Sequence, residues 1–210
     1  MNKLNHVAFI MDGNGRWGKK KKRGRNYGHL EGVKTVEKVV QSSLKLKIPI
    51  ITFYVFSTEN WKRPKTEINF LFNLIINYFQ KELNNVISNG IKINIIGKIS
   101  NLPQKIRTAL KKTSNSTKRN KKITVNLAIN YGSKDEIINA FKKMKKNENI
   151  STKSLEKNLY TTNLADPDIL IRTGGHKRLS NFMLWQLAYA EIYFLNKLWP
   201  DFNSKDFKKI

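Results

Sequence analysis

His6-Val7-Ala8-Phe9-Ile10-Met11-Asp12-Gly13-Asn14-Gly15-Arg16-Trp17 is the stretch from which the chain is best read. Its apolar run stops at one carboxylate and a glycine-rich turn that carries an arginine. A short apolar run bounded by Gly-Asn-Gly reads as a buried strand. Ligands of open α/β sheets gather outside the carboxyl ends of such strands, so Asp12 stands where a metal and a phosphate would meet. Working outward, the strand candidates are His6–Met11, Ile50–Phe56, Ile91–Ile96, Ile123–Ile129 and Asp168–Arg172. Helix-period segments alternate with them: Leu30–Leu46, Thr66–Ser88, Pro103–Ser116, Lys134–Lys146 and Ser151–Tyr160. This alternation predicts an α/β fold, a single domain over residues 1–210 with a largely parallel central β-sheet flanked by helices.

The charge balance is lopsided: 40 Lys and Arg against 15 Asp and Glu, net +25. Lysines number 32 against 8 arginines, beside 25 asparagines. That is a global Lys/Asn bias, so the lysines read as solvated helix faces and no nucleic-acid partner is expected. A positive field still attracts anions, diphosphates and acidic lipid headgroups among them. Five of the arginines, Arg16, Arg25, Arg63, Arg172 and Arg178, lie in glycine-, aromatic- or serine-rich segments. In a lysine-rich chain, arginine marks places that need a planar fork, and phosphate oxygens suit it. There is no cysteine, hence no disulfide framework and no thiolate chemistry. The longest apolar stretch, Ile48–Phe56, contains Pro49 and Thr52 and falls far short of the roughly 20 residues of a spanning helix. With no signal-peptide pattern, a soluble, cytoplasmic protein is expected.

Gly13 to Lys19 fits the G-x-x-x-x-G-K pattern of a P-loop, but Lys20 stands where Mg²⁺ chemistry needs Ser or Thr, and Arg16 and Trp17 are too bulky. Read otherwise, Asp12 is a single carboxylate for Mg²⁺, which takes one or two carboxylates plus substrate phosphates. Gly13, Asn14 and Gly15 offer backbone donors, Arg16 a charged one, and Arg25 and His29 add to the pocket at the start of the next helix. A second polar cluster, Ser57-Thr58-Glu59-Asn60-Trp61-Lys62-Arg63, follows another strand, with Pro64 suited to a helix start. A third, Arg172 to Ser180 through Gly174-Gly175, is a second anion cradle, with Ser180 expected to open a helical segment. Glu191, among Trp185, Tyr189, Tyr193, Phe194 and Trp199, is either structurally paired or a metal ligand. The segment from Ile68 to Ile87 is apolar nearly all round, which suits either ordinary core or the wall of an apolar cavity. Lys19–Lys22 reads as a basic, loop-like stretch.

Together with Asn130-Tyr-Gly132 and Leu198-Trp-Pro-Asp-Phe202, these three segments resemble the cis-prenyltransferase family, that of the bacterial undecaprenyl diphosphate synthases (isoprenyl transferases), from His6 to about Phe207. The aspartate-rich D-D-x-x-D pairs of trans-type synthases are absent; Asp166-Pro-Asp168 comes nearest. The resemblance implies condensation of isopentenyl diphosphate with an allylic diphosphate, farnesyl diphosphate by preference. The product implied is a cis-polyprenyl diphosphate, undecaprenyl diphosphate, the cell-wall lipid carrier's precursor. It implies Mg²⁺ on Asp12 with a second contact from Glu191 near a homodimer interface, and Asp12 and Asn60 as the catalytic pair. Gly13, Asn14, Gly15, Arg16, Arg25 and His29 would grip the allylic diphosphate, with Trp17 near its chain. Ser57, Thr58, Glu59, Trp61 and Arg63 would close over the reacting carbons, and Arg172, Arg178, Leu179 and Ser180 would hold isopentenyl diphosphate. An apolar tunnel between sheet and helices would take the growing chain, whose release implies peripheral contact with the inner face of a membrane. The chain departs from the family's pattern at His176, where Glu is common, at Val55, where Ala is frequent, and in ending at Ile210, short of the usual tail. A non-catalytic or partner-dependent scaffold subunit of the same fold is the alternative.

Overall fold

Val7, Ala8 and Phe9 have no solvent exposure, as a strand buried on both faces requires. In the computed structural model, which describes residues 4–145 and 149–210, six strands form one sheet: β1 His6–Ile10, β2 Ile50–Ser57, β3 Ile91–Ile96, β4 Ile123–Tyr131, β5 Ile169–Arg172 and β6 Glu191–Phe194. The order is β3-β4-β2-β1-β5-β6, and every adjacent pair is parallel. The α-helices are α1 Asn14–Lys20, α2 Gly24–Lys45, α3 Lys65–Ser88, α4 Gln104–Thr117, α5 Ser133–Lys143, α6 Thr152–Glu156 and α7 Ser204–Lys209. None of them is long and apolar enough to cross a membrane.

The expected strands and helices are present, with ends shifted by a few residues, and three differences bear on function. The glycine-rich turn after Asp12 is in fact helical from Asn14, and α2 begins at Gly24 rather than Leu30. Ser180 opens no helix: Ser180, Asn181 and Met183 have φ of 51°, 62° and 45°, a left-handed sequence that no α-helix tolerates. The aromatic stretch after it contains β6, an edge strand not anticipated. Of the helix expected over 134–146, α5 ends at Lys143, and Lys146 lies outside the described residues.

Side chains alternate between the sheet's two faces. Val7, Phe9, Ile51, Phe53 and Ile169 join the larger apolar cluster, and Ala8, Ile10 and Leu170 the smaller. The larger is built around stacked rings, Phe9 on Phe53 at 5.2 Å and Trp199 on Phe202 at 5.6 Å between centroids. Trp199 Nε1 donates to the Gly32 carbonyl at 2.9 Å, tying the chain's end to α2. The apolar helix α3 has a narrow polar stripe after all: Asn69, Asn73 and Asn77 are exposed, while Ile68, Phe72, Ile76 and Phe79 are buried.

A polar ladder crosses four strands on the other face. Asn94 donates to Asn126 and Asn126 to Thr52 Oγ1, each at 2.9 Å. His6 lies 2.7 Å from both Thr52 Oγ1 and the Ala165 carbonyl. A carbonyl only accepts, so Nδ1 has the hydrogen and Nε2 accepts from the Thr52 hydroxyl. This neutral tautomer satisfies the whole ladder, and burial pushes the His6 pKa down from 6.5 to about 4 against the opposing pull of Ala165 and Asp168. A histidine with a depressed folded pKa binds its proton more readily when unfolded. Its stabilisation is complete above pH 6.5 and falls away as the pH drops toward 4, by about 3 kcal/mol in all. Urea midpoints measured between pH 7 and 4.5 should therefore decline for the wild type, and His6→Gln should flatten most of that slope; buried His29 titrates in the same direction and leaves a residue of it.

Candidate active site

From β1 the chain builds β2, β4 and β3 to one side, then crosses to β5 and β6 on the other. Such a reversal opens a crevice at the carboxyl ends of the central strands. Asp12 lies two residues beyond β1; Ser57, Tyr131 and Arg172 are the last residues of β2, β4 and β5. All three motifs therefore reach one edge of the sheet.

Asp12 holds two arginines. Its Oδ1 accepts from Arg16 Nη2 at 3.1 Å and its Oδ2 from Arg172 Nη2 at 3.0 Å. Its carbonyl accepts from Thr173 Oγ1 at 2.8 Å and the Trp199 amide at 3.0 Å, so the acid is fixed from both ends. The Arg172 side chain is only 4% exposed. Its Nη1 donates to Ser180 Oγ at 2.8 Å and to the Arg178 carbonyl, while its Nε is buried without a partner. Arg16 also donates to the Gly174 carbonyl at 2.7 Å. Gly174 has φ 89°, and a Cβ there would lie 2.6 Å from Arg16 Nη2, so glycine is required.

Sequence reading missed the second organiser, Glu67 in the first turn of α3. It is buried and gathers three expected substrate-binding residues, Arg25 and His29 of α2 and Arg63 of the segment before α3. Arg25 Nε and Nη2 donate to its two oxygens at 3.0 Å each, Arg63 Nη1 at 3.2 Å, and His29 Nε2 stands 3.4 Å away. Burial alone would raise the Glu67 carboxyl, but the Arg25 hydrogen bonds and the charges of Arg25, Arg63 and His29 outweigh it and hold it low. Burial, then Arg63, depress the His29 pKa. The one available signal was the four-residue spacing from Arg63 to Glu67, a helical neighbour distance.

Around the remaining rim, the Ser57 amide donates to Asn60 Oδ1 at 3.2 Å. The Trp61 indole donates to Asn130 Oδ1 at 2.8 Å, and its ring packs 5.3 Å from Phe56. Asn181 bridges two segments, donating to Glu59 Oε1 at 3.0 Å and accepting from the Lys134 amide at 2.9 Å. The Arg178 side chain is exposed, and Leu179 packs against the smaller apolar cluster. Thr58 Oγ1 lies close above Gly132, where a Cβ would meet it at 2.6 Å.

Beneath this rim is a cavity of about 130 Å³, walled by Met11, Asn14, His29, Val55, Leu71 and Ile75 among others. Asn14 Oδ1 and His29 Nε2 are both buried there without a hydrogen bond. A second cavity of about 360 Å³ shares Val36, Tyr78, Phe79 and Leu127 with it and reaches Glu37 and Glu82. Trp17 is not among the walls of either: its Nε1 donates to Asp201 at 2.7 Å and its ring stacks on Tyr27.

Glu191 is not brought to Asp12. The register places Glu191 beside Ile169, which pairs with Val7. Val7 is three residues upstream of the end of β1, about 10 Å at strand rise, and β6 is two strands away, about 10 Å more. Glu191 instead accepts from the Tyr193 hydroxyl at 2.8 Å. Among the described residues no three His, Asp or Glu side chains cluster as a metal cage. The sparse pattern of Mg²⁺, one carboxylate completed by substrate phosphates and water, does fit Asp12. Its side chain is 27% exposed and flanked by cations that draw a diphosphate.

The comparisons agree with this geometry. The family model "Putative undecaprenyl diphosphate synthase" matches residues 10–210. An isoprenyl transferase of Fusobacterium nucleatum is 44% identical, covering 97% of the chain and 89% of that relative. One of Treponema denticola is 46% identical, covering 97% and 90%. Among solved structures, the lavandulyl diphosphate synthase of Lavandula x intermedia, in complex with dimethylallyl diphosphate, superposes with a TM-score of 0.94 at 30% identity over 99% of this chain and 93% of that one. A "probable undecaprenyl diphosphate synthase" of Campylobacter jejuni gives 0.85 at 38% over 100% and 93%.

The site depends on α1 and α2 meeting through glycines. A Cβ on Gly28 would fall 1.8 Å from the Asn14 carbonyl oxygen, and one on Gly18 2.0 Å from that of Gly24. Gly28→Ala must push α1 away from α2, an overpacking cost of about 2 kcal/mol or more. Chemical denaturation should register that loss, and catalytic turnover should fall further than stability does, because α1 carries Arg16.

Proposed function

The chain belongs to the undecaprenyl diphosphate synthase family of isoprenyl transferases, and from that premise we propose how its residues elongate a cis-prenyl chain. The observation that carries the reading is the convergence of two cation sets, one on Asp12 and one on Glu67, at the mouth of an apolar cavity. The allylic substrate, farnesyl diphosphate by preference, places its diphosphate among Arg16, Arg25, His29 and the first turn of α1 at Gly13, Asn14 and Gly15. Isopentenyl diphosphate is held by Arg172, Arg178, Leu179 and Ser180. Ser57, Thr58, Glu59, Trp61 and Arg63 cover the reacting carbons. Asp12 would hold Mg²⁺, which would supply positive charge for the departing diphosphate.

The allylic C–O bond breaks, the new C–C bond forms, and one proton leaves the isopentenyl unit. Asn60 is the family's position for that proton. Its oxygen already accepts from the Ser57 amide, which leaves its NH₂ to donate. An amide so oriented donates and does not take protons; Asn60 orients the substrate, and the proton passes to a diphosphate oxygen. Trp17, packed on Tyr27, supports α1 instead of touching the chain. The protein works as a homodimer in the cytoplasm, in peripheral contact with the membrane that receives its product. Glu191, on the exposed edge strand, belongs to the dimer contact.

The two cavities share Tyr78 and Phe79 as walls, and joined past these side chains they would make one tunnel for the growing chain. The tunnel sets the product length, undecaprenyl diphosphate.

The purified protein, given farnesyl diphosphate and labelled isopentenyl diphosphate, should elongate with Mg²⁺ and stop with EDTA; elongation in EDTA would sink the metal's role. Asp12→Asn should abolish turnover; its amide oxygen still accepts from Arg172, so the stability lost with the charge is smaller than with Ala. Asp12→Ala is the poorer probe, since it strands the buried Arg172 charge and costs about 3 kcal/mol of stability besides. Tyr78→Ala should shift products to longer chains on reversed-phase plates, and an unchanged distribution would remove Tyr78 from the tunnel's narrows.

A further inference from the structure

Lys19-Lys20-Lys21-Lys22-Arg23 forms the tip of the hairpin between α1 and α2. Residues 19–26 are exposed without a break, and Lys22 turns the chain with φ 56°. No acidic residue occurs between Asp12 and Glu31. Among the described residues no carboxylate pairs with any of these five cations, although lysines elsewhere do find one, Lys34 on Glu31 and Lys197 on Asp206. Two of the five instead sit over aromatic rings. Lys21 Nζ is 5.5 Å from the Trp17 ring and the Arg23 guanidinium 4.5 Å from that of Tyr27. The two rings stack at 5.8 Å, and Leu30, three residues past Tyr27, is 43% exposed.

Unpaired cations over Trp and Tyr, beside an exposed leucine, have the composition of a bilayer-interface segment. Position adds to composition. From this tip α2 runs straight to Arg25 at the diphosphate rim and then to His29, Val33 and Val36 in the cavity wall. We propose that the α1–α2 tip docks on an anionic lipid surface and seats the mouth of the prenyl cavity there. The proposal rests on the polyprenyl reading above, since a long prenyl product partitions into a bilayer. Basic side chains are drawn to an anionic leaflet within about a Debye length, and a protruding tip brings five of them inside that range together. A nucleic acid would call for cations spread along a groove or stripe, which one hairpin tip does not offer.

The test is flotation of the full chain with vesicles of phosphatidylcholine alone or with 30% phosphatidylglycerol (about the anionic fraction that gives such surfaces their potential). Two variants lose equal charge: Lys19→Gln, Lys20→Gln, Lys21→Gln and Lys22→Gln together, or the exposed Lys111→Gln, Lys112→Gln, Lys118→Gln and Lys121→Gln together. The wild type should float only with the anionic vesicles. The tip variant should lose at least tenfold in partitioning and the other less than twofold, while both elongate a soluble short-chain primer as the wild type does. Because the chain has no cysteine, Lys21→Cys and Lys118→Cys each accept one environment-sensitive fluorophore; only the dye at position 21 should shift to the blue. Equal losses in both variants would reduce the effect to bulk charge and overturn the proposal, as would wild-type protein that stays unbound or a dye at 21 that does not respond. A wild type that floats through its tip yet elongates nothing would leave the docking standing and sink the catalytic reading instead.

Discussion

In a chain with 40 basic and 15 acidic side chains, a carboxylate is the scarce component, and its placement decides where cations can be held close together. Like charges crowded into one crevice repel each other unless an anion is shared among them. Asp12 is shared by Arg16 and Arg172, and Glu67 by Arg25, Arg63 and, more distantly, His29. Two acids thus fix four arginines, with a histidine beside the second acid, drawn from α1, α2, β5 and the segment before α3. The arginines keep further N–H groups free after meeting their carboxylate, since a guanidinium has five. The pocket can therefore be organised before a diphosphate arrives and still have donors left to receive one.

That arrangement needs its elements to approach closely, and glycine permits it at chosen points. Gly28 and Gly32 of α2 lie against Asn14, and Gly174 lies against Arg16 and Asp12. The aromatic cluster of Phe9, Phe53, Trp199 and Phe202 then anchors the far side, and the Trp199 amide and indole bond respectively to Asp12 and to Gly32. Pocket and core are consequently one mechanical unit. A change at the glycine contacts reaches the acid through the backbone, not through the substrate.

How much of this was legible follows from what each residue's neighbours are. Central parallel strands are covered on both faces and so appear as unbroken apolar runs; β1 and β4 were plain for that reason. β6 was not, because its four residues lie at the edge and are all partly or fully exposed. α1 was hidden by Gly15 and Gly18, poor helix formers that are there for contact with Arg25 and with α2. The three motifs were legible as chemistry, since each puts a charge at a strand end. Glu67 was not, because beyond its four-residue spacing from Arg63 nothing local distinguishes a helix-start glutamate that caps a turn from one that collects Arg25, Arg63 and His29 across the chain. For Glu191 the sequence left two roles open, structural pairing or metal contact near a dimer interface, because its aromatic neighbours do not tell an exposed edge strand, where it accepts from Tyr193, from an interior position.

The segment after Gly175 shows what the site costs locally. Three non-glycine residues within Ser180–Met183 hold positive φ, a conformation worth roughly 1–3 kcal/mol of strain apiece. It persists because the segment is held on every side. Phe182 is fully buried and stacks on Tyr54 at 4.4 Å. The Asn181 carbonyl accepts from the Ser133 amide at 2.8 Å, and Ser133 Oγ accepts from the Leu184 amide at 3.0 Å. The benefit appears at Ser180, whose hydroxyl meets Arg172, while its carbonyl meets the Tyr54 hydroxyl at 3.2 Å. A regular helix here, as the sequence pattern suggested, would carry Ser180 and the Arg178 carbonyl away from Arg172. The buried guanidinium would then keep only Asp12, so the irregular backbone is the condition for keeping a charge inside the sheet's edge.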